Sequence, residues 1–561
     1  MSLAALASGG VAPILLVFIL LIGARWPALR SMGAGWVLAS LLGLLLWRMD
    51  PAWWSAAVVY GALQALQIIL IVFGAILLMN HLDRSGAIAT IRWHFAKITE
   101  DRRVQLLLVG LGFVTLMEGV AGFGTPGALA APLLIGLGFP PLAGAVFGLF
   151  FNVSQPPFGA AGTPVLGGVG AVIDEGVLGP EVTVAAFLDD VTAYTAIFTG
   201  ITTLIWGLVS VFLLLLWFGH EKDRNLRVAL RGTLPVLPIA LLLGALAGLS
   251  QVVVAWFLGP ELPNMAAALI VLVVGIEMVS RGILVPKKPW EFPERESWPE
   301  SWRGSGTQAA VTEPKKEMLI YLAWGPYALV VLVLIFTRWP TLGIDDWLRG
   351  FTFDVDSILG QDLSFSLEYL YSPGVLPFIP VAVLSAFMYR LKARELVDIW
   401  KRSAKQLLAP ALTLIVAVSM TQVIIQSATN PIDEPGMMQA LSRAVAALVG
   451  RALPFVAPII GSLGSFMTGS NTSSNILFSV LQHDAALDVG ISATIVVSLQ
   501  NAGGGIGNIL SVLNVAAICG VTRLTGMESE ILRRVLVPSL LLALFVGALG
   551  LLIVFVAPQV Y

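Results

Sequence analysis

The sequence predicts an all-α polytopic membrane protein of about 12–14 transmembrane helices, arranged as two inverted-topology repeats with broken or re-entrant segments. Three observations carry this expectation. The 561 residues are 57% hydrophobic and only 12% charged, with mean hydropathy +0.89, a balance that suits lipid as the main solvent. The apolar runs lack the period-2 alternation of barrel strands, and backbone groups in lipid must be satisfied within the chain, which leaves helices. Polar and glycine-rich stretches also interrupt the hydrophobic sequence twice, about 350 residues apart, and paired interruptions of this kind point to a transporter's binding site.

Apolar runs near residues 11–23, 34–47, 52–79, 195–218, 233–258, 264–279, 318–337, 374–388, 407–426 and 535–557 read as spans or parts of spans. No basic residue precedes the first run, which favours a retained span over a cleaved signal peptide. Lys and Arg collect on the cytoplasmic side of membrane proteins. The loop His81 to Arg103, with Arg84, Arg92, Lys97, Arg102 and Arg103, is therefore predicted inside, as are residues 390–405 and the stretch holding Lys222, Arg224, Arg227 and Arg231. Acids dominate Asp345 to Glu368, which is predicted outside, and both termini are expected there too. The run 52–79 ends at an inside loop, whereas its counterpart 407–426 begins at one, so the second repeat is expected to enter from the opposite side.

The expected organisation is a first membrane repeat over 1–280, a cytoplasmic linker over 281–317 and a second membrane repeat over 318–561. Lys287-Lys288-Pro289, Glu294-Arg295-Glu296 and Glu313-Pro314-Lys315-Lys316 suit a mostly solvated connection. Residues 341–373 leave room for a short amphipathic helix. Trp26, Trp47, Trp53, Trp54, Trp217 and Trp339 lie near span ends, as interfacial anchors do.

Several function classes are excluded by what the chain lacks. The net charge of −2 gives nucleic-acid binding no support, and the single Cys519 excludes an intramolecular disulfide or a cysteine metal cluster. His81, His94, His220 and His483 are scattered, with no His-Glu-x-x-His motif and no Ser/His pairing, so neither an enzyme nor a metal or cofactor site is expected. Nothing resembles the repeated selectivity filter of a channel.

The chemistry lies in the interruptions. In the first, Met117-Glu118-Gly119-Val120-Ala121-Gly122-Phe123-Gly124-Thr125-Pro126 is followed 35 residues on by Asn152-Val153-Ser154-Gln155-Pro156-Pro157. In the second, Met467-Thr468-Gly469-Ser470-Asn471-Thr472-Ser473-Ser474-Asn475 is followed 34 residues on by Asn501-Ala502-Gly503-Gly504-Gly505-Ile506-Gly507-Asn508. Each reads as a helix break joined to an Asn-led turn. A charge at mid-membrane costs roughly 2.5–3.5 kcal/mol on insertion scales, so Glu118 demands a reason, and a desolvated carboxyl is a candidate proton carrier. Gly119, Gly122, Gly124 and Pro126 are too many breakers for a continuous helix, and half-helix N-termini exposed there can hold a carboxylate without a buried cation. Thr125, Thr468, Ser470, Thr472, Ser473 and Ser474 add hydroxyls, and Asn152, Asn471, Asn475, Asn501 and Asn508 add amides. Asp189 and Asp190 form a second acidic spot, read equally as a solvated interfacial pair or an ion-coupling site.

The strings Glu118 to Pro126, Leu133 to Phe139 with Pro141-Leu142, and Thr468 to Asn475 resemble those of the L-lactate permease family, and the likeness extends diffusely over nearly the whole chain. The resemblance implies a multi-pass plasma-membrane proton symporter for short 2-hydroxymonocarboxylates, lactate and glycolate being the usual substrates. Familiar members often read Thr-Gly-Ser-Asp where this chain has Asn471. Some carry a Lys near the position of Asn508, and a basic residue is common in the segment that here reads Leu188-Asp189-Asp190. The expected function is thus proton-coupled import of a hydroxycarboxylate. Glu118 would carry the proton, the Gly119 to Gly124 backbone and Ser470 to Asn475 would hold the carboxylate, and Asn152 or Asn501 would read the 2-hydroxyl. The alternative is a carrier of another small organic anion, coupled to sodium through Asp189 or Asp190. The implied partners are the substrate, protons and the lipid bilayer.

Overall fold

A computed structural model describes residues 2–556 apart from 25, 96, 123–124, 181, 222–223, 304–317, 340–341 and 525. Among the described residues, 12 helices are long and apolar enough to cross a membrane, and the shorter apolar helices Pro126–Gly136, Pro141–Phe150 and Gly374–Met388 lie between them. The chain is a multi-pass α-helical membrane protein. Among the described residues, strand structure is confined to one hairpin, Thr352–Val355 paired antiparallel with Phe365–Glu368.

Two long helices, Pro51–Ser85 and Ala393–Gln426, form the central contact. At 35 and 34 residues each reaches about 50 Å, well beyond a hydrocarbon core of about 30 Å. The first starts at a full N-cap, where Asp50 Oδ1 accepts from Ala52 N at 2.7 Å and Pro51 occupies the first helical position. It stops at Gly86, whose φ of 88° only glycine adopts freely. The pair runs antiparallel. Gly61 lies against the Ser419 backbone, Asn80 donates to Ser403 Oγ at 2.8 Å, and Arg84 pairs with Glu395 at 3.1 Å.

Each of the two long helices is followed by shorter helices around one of the interruptions. After Pro51–Ser85 come the wholly buried span Arg102–Val120 and the short helices Thr125–Gly136 and Pro141–Phe150. After Ala393–Gln426 come Leu453–Thr468, Asn471–Val489 and Ala493–Asn508. Each series closes on one long helix, Val184–Phe218 and Glu528–Val556.

Three expectations change. The segment 290–302 is mostly exposed, as a linker should be, but aromatic residues pin it: Trp302 is 2% exposed, its ring 5.0 Å from Phe218, and Phe292 stacks edge-on against Phe139 at 4.9 Å. Trp290 N donates to Asp101 Oδ2 and Arg102 pairs with Glu291 at 3.1 Å, so aromatic side chains spaced among the charges anchor the stretch onto the ends of the helices. Residues 304–317 of the predicted linker lie outside the described residues. Trp47 is fully buried rather than interfacial, its Nε1 donating to Pro435 O at 2.9 Å, and Trp53 Nε1 reaches Gln426 O at 3.2 Å; both tie the two halves together. The 341–373 region holds the short helix Ile344–Arg349 but also the hairpin, whose alternating Phe365 and Leu367 bury against Ala56 and Tyr60.

Candidate functional site

The two interruptions meet. The helix carrying Glu118 ends at Val120, the chain turns through Ala121 and Gly122 (φ 56°), and a new helix starts at Thr125. Phe123 and Gly124 lie outside the described residues, as does the side chain of Thr125. In the second half the break is smaller than the polar run suggested. Thr468 ends one helix, Gly469 takes φ 74°, and Ser470 caps the next, its Oγ accepting from Ser473 N at 3.3 Å. Asn471, Thr472, Ser473, Ser474 and Asn475 all lie in the first two turns of that helix.

The Asn-led segments differ more sharply. Residues 151–155 are non-helical, as expected, before a short 3-10 turn at Pro156–Phe158. Asn501 to Asn508, by contrast, continue the helix Ala493–Asn508 without a break. Its glycines are notches instead of a turn. Gly503 meets the Pro458 carbonyl, Gly504 meets Asn471 Oδ1, and Gly507 meets the Ser462 carbonyl, each so closely that a Cβ would collide. Small residues let neighbouring helices approach to backbone contact, which is why so glycine-rich a stretch remains helical here.

Between the two breaks lies one narrow cleft, about 280 Å³ of empty space counting its mouth, with room for little more than a water molecule. Glu118 and Gly122 face Ser470, Asn471, Thr472 and Asn508 across it. Among the described residues no Lys, Arg or His lines it. Glu118 is 3% exposed, and the Asn152 side chain lies beside it. Glu118 Oε2 and Asn152 Oδ1 are both buried without a hydrogen-bond partner.

The family follows from the whole chain. The family model described as L-lactate permease matches residues 5–557. The chain belongs to the L-lactate permease family. It is 29% identical over 548 residues to the L-lactate permease of Bacillus subtilis, covering 91% of this chain and 89% of that one. To the glycolate permease GlcA of Escherichia coli it is 28% identical over 545 residues, with 92% and 90% covered, and to the L-lactate permease of the same organism 26% over 563, with 96% and 94% covered. The solved Alcanivorax borkumensis YdaH transporter overlaps 88% of this chain and 86% of its own at TM-score 0.46 and 13% identity, too distant a match to place any residue. Membership of the permease family makes the chain a transporter and not an enzyme.

The remaining predicted residues of this permease support the cleft from behind. Asn501 is a hub: its Oδ1 accepts from Asn471 Nδ2 at 2.9 Å and Asn475 Nδ2 at 2.8 Å, and its own amide donates to Thr195 Oγ1 at 3.3 Å. Asn475 also donates to Pro164 O at 2.9 Å, which joins the two halves directly. Ser474 is engaged by Gln500 Nε2 at 2.9 Å and by Gly461 O at 2.8 Å. Thr468 Oγ1 donates to Ser470 O at 3.0 Å, holding the cap. Gly119 faces away from the cleft, its absent Cβ leaving room for Asn264 and Met265. Asn508 accepts from Asn514 Nδ2 at 2.8 Å. Asp189 and Asp190 lie near the start of Val184–Phe218, partly open to the surroundings, and neither lines the cleft.

One wall was missed by the sequence reading. Gly159, Ala160, Thr163 and Pro164 line the cleft, and Glu118 Oε1 lies where a Cβ on Gly159 would stand. Ala160, Ala161 and Gly162 take φ of 42°, 50° and 74° in succession, a left-handed run that L-residues disfavour by roughly 1–2 kcal/mol each. A signal was available: Gly162-Thr163-Pro164 repeats Gly124-Thr125-Pro126.

Proposed function

We propose that this permease imports short 2-hydroxymonocarboxylates, L-lactate foremost and glycolate or D-lactate as relatives of it, by proton symport across the plasma membrane. The observation that carries the reading is the facing of a buried carboxyl, Glu118, and a capped helix N-terminus, Ser470 to Thr472, across a cleft that no basic side chain lines among the described residues. First-turn N–H groups have no intrahelical acceptor and sit at the positive end of the helix dipole, so they suit a small carboxylate. Ser470 and Thr472 hydroxyls add donors. Glu118 then supplies the group that takes up and releases the coupled proton, with Asn152 beside it. Names of the relatives, lactate and glycolate permeases, support the substrate class.

The hub geometry changes one assignment within this reading. Asn501 is fully engaged with Asn471, Asn475 and Thr195, so Asn152, with Oδ1 free, is the better acceptor for the substrate 2-hydroxyl. The cleft must widen to admit a substrate, which fits rocking of one half against the other. Inverted repeats are supported by the antiparallel long helices, each followed by shorter helices around one of the interruptions. The inside assignment of the basic loops is supported by their meeting at one end, where Arg84 pairs with Glu395 and Arg402 with Asp83, and it leaves both termini outside.

The test is uptake of labelled lactate or glycolate by proteoliposomes under an imposed pH gradient. Accumulation above equilibrium, collapsed by a protonophore and unchanged when choline replaces sodium, is expected. A gradient that stimulates uptake of neither acid would sink the substrate claim.

A further inference from the structure

We infer that the buried ion pair between Glu261 and Arg338 is a positioning element for the Glu118 site, acting through the bend at 259–262 and the start of the helix Pro263–Ser280 that follows it. The inference rests on the reading of Glu118 as the coupling group. Neither side chain lines the cleft, yet both are 3% exposed and their charges meet at 2.9 Å. Arg338 also donates to the Tyr371 carbonyl, and its guanidinium lies 3.6 Å from the Tyr371 ring centre. Taking two full charges out of water seldom stabilises a fold relative to apolar packing, so a pair this buried calls for a geometry that it fixes.

That geometry is the rear wall of the Glu118 pocket. Pro260 is pressed against Gly162, where an added Cβ would stand 2.8 Å from the Pro260 carbonyl. Asn264, three residues beyond Glu261, donates to Gln155 O at 2.7 Å and so holds the segment that carries Asn152. Asn264 and Met265 also fill the space beside Gly119, the residue next to Glu118. Gln251, donating to Asn264 Oδ1 at 3.0 Å, and Thr203, donating to Gln251 at 3.2 Å and touching Ser154 at 3.0 Å, complete a fully buried network behind the same segment. Pro260 and the helix start beyond it thus touch three chain segments around the carboxyl. The left-handed run Ala160 to Gly162 persists only where its surroundings over-determine it, and Pro260 is the surrounding on its far side. Glu261 and Arg338 hold Pro260 in place.

The test uses the full-length protein in detergent and in proteoliposomes. In Glu261→Gln, amide hydrogen exchange is expected to rise in peptides covering 117–122 and 155–163 while the Ala393–Gln426 helix keeps its protection. Gradient-driven lactate accumulation should fall about tenfold, with the KM of lactate counterflow little changed, as expected when a group is misplaced by a distant shift. Removing one partner leaves an uncompensated buried charge that can prevent folding. The double variant Glu261→Gln with Arg338→Gln removes both charges, and Gly162→Ala disturbs the same contact without touching either; each should show the same local rise in exchange. Exchange changes confined to 259–265, or spread evenly over the chain, would reduce the pair to a structural one and overturn the inference. Wild-type protein that shows no gradient-driven uptake would instead defeat the functional reading, and the exchange pattern would still decide the positioning claim.

Discussion

Asn471 and Asn501 are locked to each other: Asn471 donates its side-chain amide to Asn501 Oδ1 at 2.9 Å and reaches the Asn501 carbonyl at 3.2 Å. Because Asn501 Oδ1 also takes the amide of Asn475, a single oxygen fixes the first two turns of the helix whose N-terminus faces the cleft. Asn501→Ala would take one of two acceptors from each of two buried amide groups, at up to about 1–3 kcal/mol each. Lower thermal stability in detergent and a weaker apparent affinity for lactate are expected together. Unchanged affinity in a destabilised protein would show that the hub serves the fold alone.

Gly159 makes the opposite kind of demand. Its φ of −69° suits any residue, so backbone strain is not at issue. The constraint is space, since Glu118 Oε1 occupies the position of a Cβ. Gly159→Ala should displace the carboxyl at an overpacking cost of about 1–3 kcal/mol. Gradient-driven uptake should fall more than counterflow exchange, measured in the same vesicles. Equal activity to wild type would mean that the carboxyl moves without consequence.

Sequence reading found the membrane class, the two interruptions and Glu118, because hydrophobic runs, charge in a hydrophobic run and clustered glycines each have one dominant physical meaning. It misread Asn501 to Asn508 as a turn because glycine serves two purposes: Gly503, Gly504 and Gly507 are needed for close helix approach, a property of the partner helix that the stretch itself does not encode. It passed over Ala160 and Ala161 for the converse reason. Alanine is the strongest helix former, and only tertiary contact with Gly122 and with Pro260 beyond Gly162 holds these two left-handed. The charges of 287–303 outweighed Trp290, Phe292, Trp298 and Trp302, although it is the aromatic spacing that docks the segment.

The docked segment yields a direct measurement. Trp302 lies beneath Phe218 and carries Arg224 over its ring at 4.5 Å. Trp302→Ala should cost about 3–5 kcal/mol, the range for a large buried aromatic, seen as a fall in the detergent melting temperature. A change within about 0.5 kcal/mol, typical of an exposed site, would return the segment to the status of a solvated tether.

Asp189 and Asp190 separate the coupling ions. Both lie off the cleft, near the start of their helix, and Asp189 is among the charges around Glu261 and Arg349. Asp189→Asn and Asp190→Asn are therefore expected to leave the gradient-driven accumulation ratio of lactate unchanged and uptake indifferent to sodium. Glu118→Gln, which keeps the shape but not the exchangeable proton, should abolish accumulation while counterflow exchange continues, because exchange needs a bound substrate and a moving cleft but no net proton transfer. Accumulation surviving in Glu118→Gln and failing in Asp189→Asn would move the coupling site from the cleft to the start of the Val184–Phe218 helix and make sodium the ion to test next.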